Sequence, residues 1–184
     1  MSEPVVFTHR FARREDVARI EALMAAAIAE NMRPFLSAAE IEAARETMGV
    51  DRTLIEDGTY FVVETRRAGQ TVLVGCGGWG RRRTLYGGDA SASRDDALSD
   101  PAREPARIRA MYTHPQWVRR GIGSRLLTLG EEAARAAGFR TIELGATLAG
   151  EPLYRARGYR EIDRQTFIAA NGAPNLVIRM GKRL

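Results

Sequence analysis

The chain of 184 residues contains one cysteine, Cys76, and two histidines. A single cysteine cannot form an intramolecular disulfide or a cysteine cage for a metal, so we expect no metal ion and a reducing compartment. No apolar run is long enough to span a bilayer, and the first residues lack the basic region and apolar core of a secretory signal. We therefore expect a cytoplasmic protein with no membrane partner.

The formal net charge of +5 comes from an excess of arginine, since the chain has 28 Lys+Arg against 23 Asp+Glu. These arginines are scattered among carboxylates and do not form one block, and no strip of alternating aromatic and basic residues accompanies them. The pattern argues against nucleic-acid binding, which stays a lesser alternative. The length fits one domain with a full hydrophobic core, so we expect a single domain over residues 1–184.

The N-terminal half predicts a strand, two helices and a hairpin. Val5–Phe11 alternates as a strand does, and Ser37 with Glu40 forms a capping box for the second helix. Two β-rich runs, Thr59–Glu64 and Thr71–Trp79, flank the turn "RRAG" and predict an antiparallel hairpin. The first helix has apolar residues on one face: Val17, Ile20, Met24, Ala27 and Ile28.

The C-terminal half predicts a long loop over Arg81–Glu104, then a strand, a helix and a strand whose two strands are parallel neighbours. A brief helix near Pro152–Arg157 and a hairpin through Asn171 and Gly172 follow. Simple alternation divides the strand "ARIRAMYTH" into two faces: Ile108, Ala110 and Tyr112 on one, and Arg109, Met111 and Thr113 on the other.

The segment "HPQWVRRGIGSRLL" lies at the turn between that strand and the helix after it. A helix N-terminus presents free backbone N–H groups, Gly121 and Gly123 let an anion approach them, and Arg119 and Arg120 add positive charge. The segment predicts a phosphate-bearing ligand; the alternative is a tight turn with two solvent-exposed arginines.

Two other phosphate-binding motifs also have glycine-rich signatures. A Walker loop is excluded because no Gly-Lys-Ser/Thr occurs. "GCGGWG" at Gly75–Gly80 matches G-x-G-x-x-G, but no amphipathic helix follows it. We interpret it as a glycine-weakened strand beside a ligand channel.

Three segments in order, "ARIRAMYTHP", "RRGIGSRLL" and "LYRARGYRE", resemble the GNAT superfamily of N-acetyltransferases, whose signature is Q/R-x-x-G-x-G/A followed by a helix. They span Ala106–Glu161, and Val118 departs from the Q/R position. The resemblance implies an α/β fold with a mixed, mostly antiparallel twisted sheet. In that fold a parallel pair of strands is splayed at the cofactor site and helices cover both faces.

The resemblance also implies acetyl-CoA as co-substrate and a role for each motif. The pyrophosphate would bind the main chain of Arg119, Arg120, Gly121, Ile122, Gly123 and Ser124. The backbone of Met111, Tyr112 and Thr113 would contact the pantetheine arm and the acetyl carbonyl. Tyr154 matches the tyrosine that protonates the departing thiolate, and a packed core tyrosine is the alternative; Tyr159 fits the core better.

The implied reaction is direct transfer of an acetyl group to a primary amine of a small molecule or peptide. The base stays open among Glu64, Glu143 and His114, and Cys76 is a lesser candidate for an acetyl-carrying nucleophile. Acceptor contacts are expected from Asn31–Phe35 and from the loop after Trp79, whose mixed charges select no acceptor: Arg33, Arg81, Arg82, Asp89, Asp95 and Asp96. A non-catalytic acyl-CoA-binding or sensing protein is the main alternative, and a homodimer is suggested by resemblance alone.

Overall fold

The computed structural model of the chain describes residues 5–184, which form one seven-stranded sheet in the order β1-β2-β3-β4-β5-β7-β6. The strands are β1 Thr8–Phe11, β2 Tyr60–Arg67, β3 Gln70–Gly80, β4 Ala106–Thr113, β5 Thr141–Ala146, β6 Arg160–Ile168 and β7 Pro174–Arg183. The helices are α1 Val17–Asn31, α2 Ala38–Arg45, α3 Arg52–Glu56, α4 Ile122–Ala136 and α5 Glu151–Ala156.

Neighbouring strands are antiparallel except β4 and β5, which run parallel. One face of the sheet is covered by α1, α2 and α3, and the other by α4 and α5. Each face buries its own apolar layer, with Ile20 and Met24 in the first and Leu126 and Leu127 in the second. The mixed sheet with helices on both faces confirms the predicted fold class. Within residues 5–184 no helix is long and apolar enough to cross a bilayer.

The local signals of the N-terminal half are confirmed. The Ser37 side chain accepts a hydrogen bond from Glu40 N while the Glu40 carboxylate accepts one from Ser37 N, so the capping box begins α2. The predicted hairpin is β2–β3, and its turn residues Ala68 and Gly69 have φ of 50° and 78°, as the twist of a two-residue turn requires. The first strand is shorter than expected, since it begins at Thr8 and not at Val5.

A bulge in β4 corrects the predicted alternation of that strand. Cys76 faces Tyr112 and Gly78 faces Arg109, so β4 has one residue more than β3 between these pairs. The extra residue is Ala110, whose φ is 49°. As a result Ile108 packs on the α4 face with Met111, while Ala110 and Tyr112 pack on the α1 face. Ile108 therefore does not share a face with Ala110 and Tyr112.

Helical spacing in "SRLLTLGEEAARAAGF" predicts an apolar face of Leu126, Leu129, Ala133 and Ala137, and the face that α4 buries is rotated from it. Leu126 is fully buried, but Ala137 is exposed and Leu129 and Ala133 are only half-buried. The helix instead buries Ile122, Leu127, Gly130 and Ala134. A Cβ at Gly130 would lie 2.7 Å from Ile108 Cδ1, so the missing side chain lets α4 lie directly on the sheet.

The segment "GCGGWG" is the second half of β3, as expected for a strand and not for a dinucleotide-binding turn. Its glycines make close backbone approaches: a Cβ at Gly78 would collide with Thr59 O and lie 2.9 Å from Tyr60 Cα. These are backbone atoms of β2 and its entry, which a side-chain rotation cannot move away. The glycine at this position is therefore required by strand spacing.

We predict that Gly78→Ala lowers the free energy of unfolding by about 2–4 kcal/mol, because the added methyl forces β2 and β3 apart. Gly80→Ala in the same strand is the matched control, since its Cβ would make only contacts of 3.5 Å or longer. It should lose less than about 1 kcal/mol in the same denaturant titration. Equal losses in the two variants would contradict the packing argument.

Candidate active site

The strands β4 and β5 diverge after two paired positions, Ala106 with Ile142 and Arg107 with Glu143. Beyond that point a cavity of about 260 Å³ opens between them. Its wall includes five residues predicted for the site: Met111, Tyr112, Thr113, Tyr154 and, at the start of α4, Gly123. The parallel strands β4 and β5 are therefore splayed apart at the cavity, as predicted. Beyond Arg107 this edge of β4 has no partner strand among the described residues.

The N-terminus of α4 is not capped by a side chain. The first main-chain bond is donated by Arg125 N to Gly121 O at 2.9 Å. The N–H groups of Ile122, Gly123 and Ser124 have no acceptor among residues 5–184. Free N–H groups at the positive end of a 15-residue helix fit a phosphate group.

The turn before α4 has the backbone that such a cradle needs. Arg119 and Gly121 have φ of 63° and 80°, so two left-handed residues turn the chain sharply between β4 and α4. A Cβ on Gly121 would meet nothing within 4 Å, which places this glycine beside open space, whereas a Cβ on Gly123 would lie 2.9 Å from Leu153 Cδ2. A bulky group can thus approach the main chain at Gly121.

The two arginines of this turn are exposed, and neither forms an ion pair with a residue in the described part of the chain. The Arg120 guanidinium lies over the Trp117 ring, 4.9 Å from its centroid. Val118, at the position where the signature has Gln or Arg, is 41% exposed and contributes no charge. The cradle consists of main-chain N–H groups with two free arginines beside it.

Tyr154 lies on α5, is buried and lines the cavity. Burial raises the pKa of its phenol to about 12, so the hydroxyl carries its proton throughout the neutral range. Its ring meets that of Tyr159 edge to face at 5.9 Å. Tyr159 itself donates to Glu131 Oε1 at 3.0 Å and is packed in the core, as the sequence reading expected.

Arg109 forms a buried ion pair that the sequence reading missed. Its Nη2 donates to Asp51 Oδ2 at 2.7 Å and to Gly87 O at 2.7 Å, and its Nη1 donates to Thr84 O at 3.1 Å. Asp51 is also paired with Arg94, at 3.1 Å. The available signal was an arginine between the apolar residues Ile108 and Ala110 of a predicted strand. The pair fastens the long loop, and with it Leu85 and Tyr86, against the cavity.

The charged groups proposed for acceptor contacts are mostly engaged elsewhere. Asn31 and Met32 line the cavity, as do Leu85, Tyr86 and Gly87 of the loop after Trp79. None of the six charged residues named for this role lies in the wall. Salt bridges join four of them to other side chains: Arg33 to Glu30, Arg82 to Asp57, Asp89 to Arg52, and Asp96 to Arg94. The loop therefore contributes an uncharged wall.

The three candidate bases lie outside the cavity wall. Glu64 is paired with Arg10 at 2.9 Å, and Glu143 with Arg179 at 2.9 Å. His114 accepts a hydrogen bond from Gln116 N at 3.3 Å and caps the short turn after β4. Cys76 is fully buried, and burial raises the pKa of its thiol to about 12, which disfavours the thiolate a nucleophile needs.

Comparison with known proteins gives one family and many similar folds. A family model described as an acetyltransferase (GNAT) domain matches residues 56–161, more than half of the chain. No curated protein matches the chain in sequence. A GCN5-related N-acetyltransferase from Rhodopseudomonas palustris superposes with a TM-score of 0.66 at 21% identity, covering 96% of this chain and 95% of that one.

Two further solved structures of similar fold contain a coenzyme. The PaiA N-acetyltransferase from Thermoplasma acidophilum, in complex with coenzyme A, has a TM-score of 0.60 at 12% identity, over 97% and 99% of the two chains. YncA from Salmonella typhimurium, a putative acetyltransferase with its cofactor acetyl-CoA, has a TM-score of 0.59 at 20% identity, over 97% and 94%. At these identities the likeness establishes the fold.

We predict that Asp51→Asn lowers the free energy of unfolding by about 3–5 kcal/mol, because it leaves Arg109 buried without a carboxylate, whereas Arg94 keeps Asp96. The loop residues Thr84–Gly88 should also exchange their amide hydrogens faster. Asp89→Asn is the matched control: its partner Arg52 is 52% exposed, so the loss should stay below about 1 kcal/mol. A similar small loss for Asp51→Asn would mean that the pair does not hold the loop.

Proposed function

Because this chain belongs to the GNAT family of acetyltransferases, we propose that it transfers an acetyl group from acetyl-CoA directly to a primary amine. The observation that carries the proposal is that an uncapped helix N-terminus and a splayed pair of parallel strands meet at one cavity. The first suits a pyrophosphate, and the second suits an extended amide-bearing arm that hydrogen-bonds along the free edge of β4.

The residues present fit the co-substrate. The main-chain N–H groups of Ile122, Gly123 and Ser124 would hold the pyrophosphate, with Arg119 and Arg120 at its rim. The β4 edge at Met111–Thr113 would hold the pantetheine arm and donate to the acetyl carbonyl as negative charge develops on its oxygen. When bound, acetyl-CoA supplies an activated thioester; the chain supplies positioning and hydrogen-bond donors.

We propose that Tyr154 is the donor to the departing thiolate. Its hydroxyl group has no hydrogen-bond partner within residues 5–184, and Tyr154 is one of the residues that line the cavity. With a pKa of about 12, Tyr154 is a weaker acid than a thiol, whose pKa is about 8.5. Complete proton transfer to the thiolate is therefore uphill. The phenol stabilises the leaving group chiefly by hydrogen bonding, and solvent supplies the proton after release.

We predict that Gly121→Glu weakens acetyl-CoA binding by about 2 kcal/mol or more, roughly 30-fold, because a carboxylate would occupy the anion site. Gly69→Glu is the matched control. Gly69 also has a positive φ, 78°, and open space around its Cβ, but it lies in the β2–β3 turn. The two variants have the same net charge and similar backbone strain. A difference between their Kd values for acetyl-CoA, measured by calorimetric titration, therefore reports on the turn before α4. Equal affinities in both variants, or no binding by the unaltered protein, would overturn the cofactor assignment.

We predict that Tyr154→Phe lowers kcat roughly 10²-fold while the Kd for acetyl-CoA changes less than about threefold, because the lost hydroxyl acts only on the leaving group. Tyr86→Phe removes a hydroxyl elsewhere in the cavity wall and should leave kcat nearly unchanged. The measurement is release of the CoA thiol with a saturating amine. An unchanged kcat in Tyr154→Phe would return Tyr154 to a packing role.

The alternatives predict different outcomes. A non-catalytic acyl-CoA-binding protein would bind acetyl-CoA through the same cradle but release no thiol with any amine. A nucleic-acid-binding domain would ignore acetyl-CoA and bind DNA or RNA with steep salt dependence.

A further inference from the structure

The cavity wall is built by eight parts of the described chain, and they bring almost no charge to it. No ionisable side chain enters it from α1, from the α2–α3 connection, from α4, from β5 and the segment after it, or from β7. The β3–β4 loop brings Tyr86, β4 brings Arg109 and Tyr112, and α5 brings Tyr154. Within residues 5–184 the wall thus contains no carboxylate, histidine or lysine.

Arg109, the one cation that residues 5–184 bring to this wall, is not available to a substrate. Its side chain is 3% exposed, and its terminal nitrogens bind Asp51 Oδ2, Thr84 O and Gly87 O. Asp51 and Arg94 stand behind it and complete the charge balance. An acceptor carboxylate entering the cavity would therefore lose its hydration without gaining a free cation, which is strongly unfavourable.

The tyrosines cannot remove a proton from the amine at neutral pH. Burial raises the pKa of Tyr154 to about 12 and raises that of Tyr112 above its ordinary value, and a phenol keeps its proton under these conditions. Glu64, Glu143 and His114 lie outside the wall. The amine consequently has to reach the thioester already in its neutral form.

This requirement selects among amines by their basicity. At pH 7.5 an α-amino group, with a pKa of about 7.7–8.0, is neutral in roughly a third of the molecules, whereas a lysine ε-amino group, with a pKa of about 10.4, is neutral in about one in a thousand. The greater nucleophilicity of the more basic amine offsets only part of this difference. A cavity without a base therefore favours α-amines.

Building on the proposed acetyl transfer, we propose that the acceptor is an α-amino group followed by an amide, as at a peptide N-terminus or in an amino-acid amide. The absence of a free cation disfavours free amino acids, and the absence of a base disfavours lysine side chains and polyamines. The step is balanced in bonds and protons. The N–C bond to the amine forms as the C–S bond of the thioester breaks, the amine gives one proton to solvent, and the thiolate takes one proton from solvent.

Uncharged polar groups suit the amide of such an acceptor. Asn31 Nδ2 donates to Thr113 O at 2.8 Å, and Asn175 Nδ2 donates to Thr47 Oγ1 at 3.1 Å. Each asparagine thus uses one N–H of its amide on the protein, which leaves its carbonyl oxygen as an acceptor for N–H groups and its second N–H as a donor. The surrounding Met32, Met48 and Leu85 are apolar.

The first test is a panel of acceptors at pH 7.5, followed by CoA-thiol release. Two members carry a free α-amine followed by an amide: alaninamide and a tripeptide with N-terminal alanine. The other three are a tripeptide with an acetylated N-terminus and an internal lysine, free alanine, and spermidine. We expect kcat/KM for the first two to exceed each of the others at least about tenfold. Comparison of kcat/KM for alaninamide and for the tripeptide shows whether a small amino-acid amide or a peptide is the better acceptor. Higher kcat/KM for free alanine, the blocked lysine peptide or spermidine would overturn the inference.

The second test is the pH profile of kcat/KM with two tripeptides that differ only in N-terminal alanine or the more basic β-alanine. Without an enzyme base, kcat/KM rises with pH until it levels at the pKa of each acceptor, so the break moves with the acceptor. A break at one pH for both peptides would reveal a base in the enzyme and overturn the inference.

Binding of acetyl-CoA distinguishes a wrong acceptor from a wrong function. If acetyl-CoA binds by calorimetry but no α-amine of the panel releases thiol, the acceptor inference is overturned while the cofactor assignment stands. If acetyl-CoA does not bind at all, the proposed function fails together with the acceptor inference that rests on it.

Discussion

Tyr60 donates a hydrogen bond from its buried hydroxyl to Ala110 O at 2.6 Å, and this contact braces the bulge in β4. The bulge turns Ile108 toward α4 and places Arg109 and Ala110 in succession toward the opposite face. Past Arg107 the strand leaves β5, so its free edge lines a cavity instead of continuing the sheet. The binding surface thus depends on one extra residue in one strand, held by a tyrosine from β2.

Arg109, which lies beside the bulge, binds the long β3–β4 loop through two backbone oxygens. A guanidinium buried on the sheet requires compensation, and Asp51 supplies a carboxylate while Thr84 and Gly87 supply backbone oxygens. The loop is thereby held so that Leu85 and Tyr86 close one side of the cavity. A Cβ on Gly145 would lie 3.0 Å from Tyr86 Cβ, so the glycine in β5 lets the loop approach this closely.

The chemistry that follows is one of neutral groups. In the proposed acetyl transfer, the main-chain N–H groups at the start of α4 would hold negative charge, the protonated Tyr154 would face the leaving group, and the amides of Asn31 and Asn175 would face the amine. Apart from Arg119 and Arg120 beside the start of α4, the charged side chains discussed for the site, such as Arg109, Glu64 and Glu143, are paired within the described chain. Such a site catalyses by alignment and by hydrogen bonds to developing charge, and it leaves the protonation state of the amine to the amine itself.

Local sequence signals determined the elements and the ligand cradle. The capping box at Ser37 and Glu40, the turn at Ala68 and Gly69, and the glycines before α4 act over a few residues, so their consequences can be read without the fold. The order of these signals was enough to indicate the family. Tertiary structure alone decided the bulge, the rotation of α4 onto Gly130 and the charge state of the cavity. Tyr60 and Ala110 lie 50 residues apart in sequence, and Arg109 and Asp51 lie 58 apart. Alternation and charge counts say nothing about which distant group meets which, and that pairing determined which arginines and carboxylates stay free for a substrate.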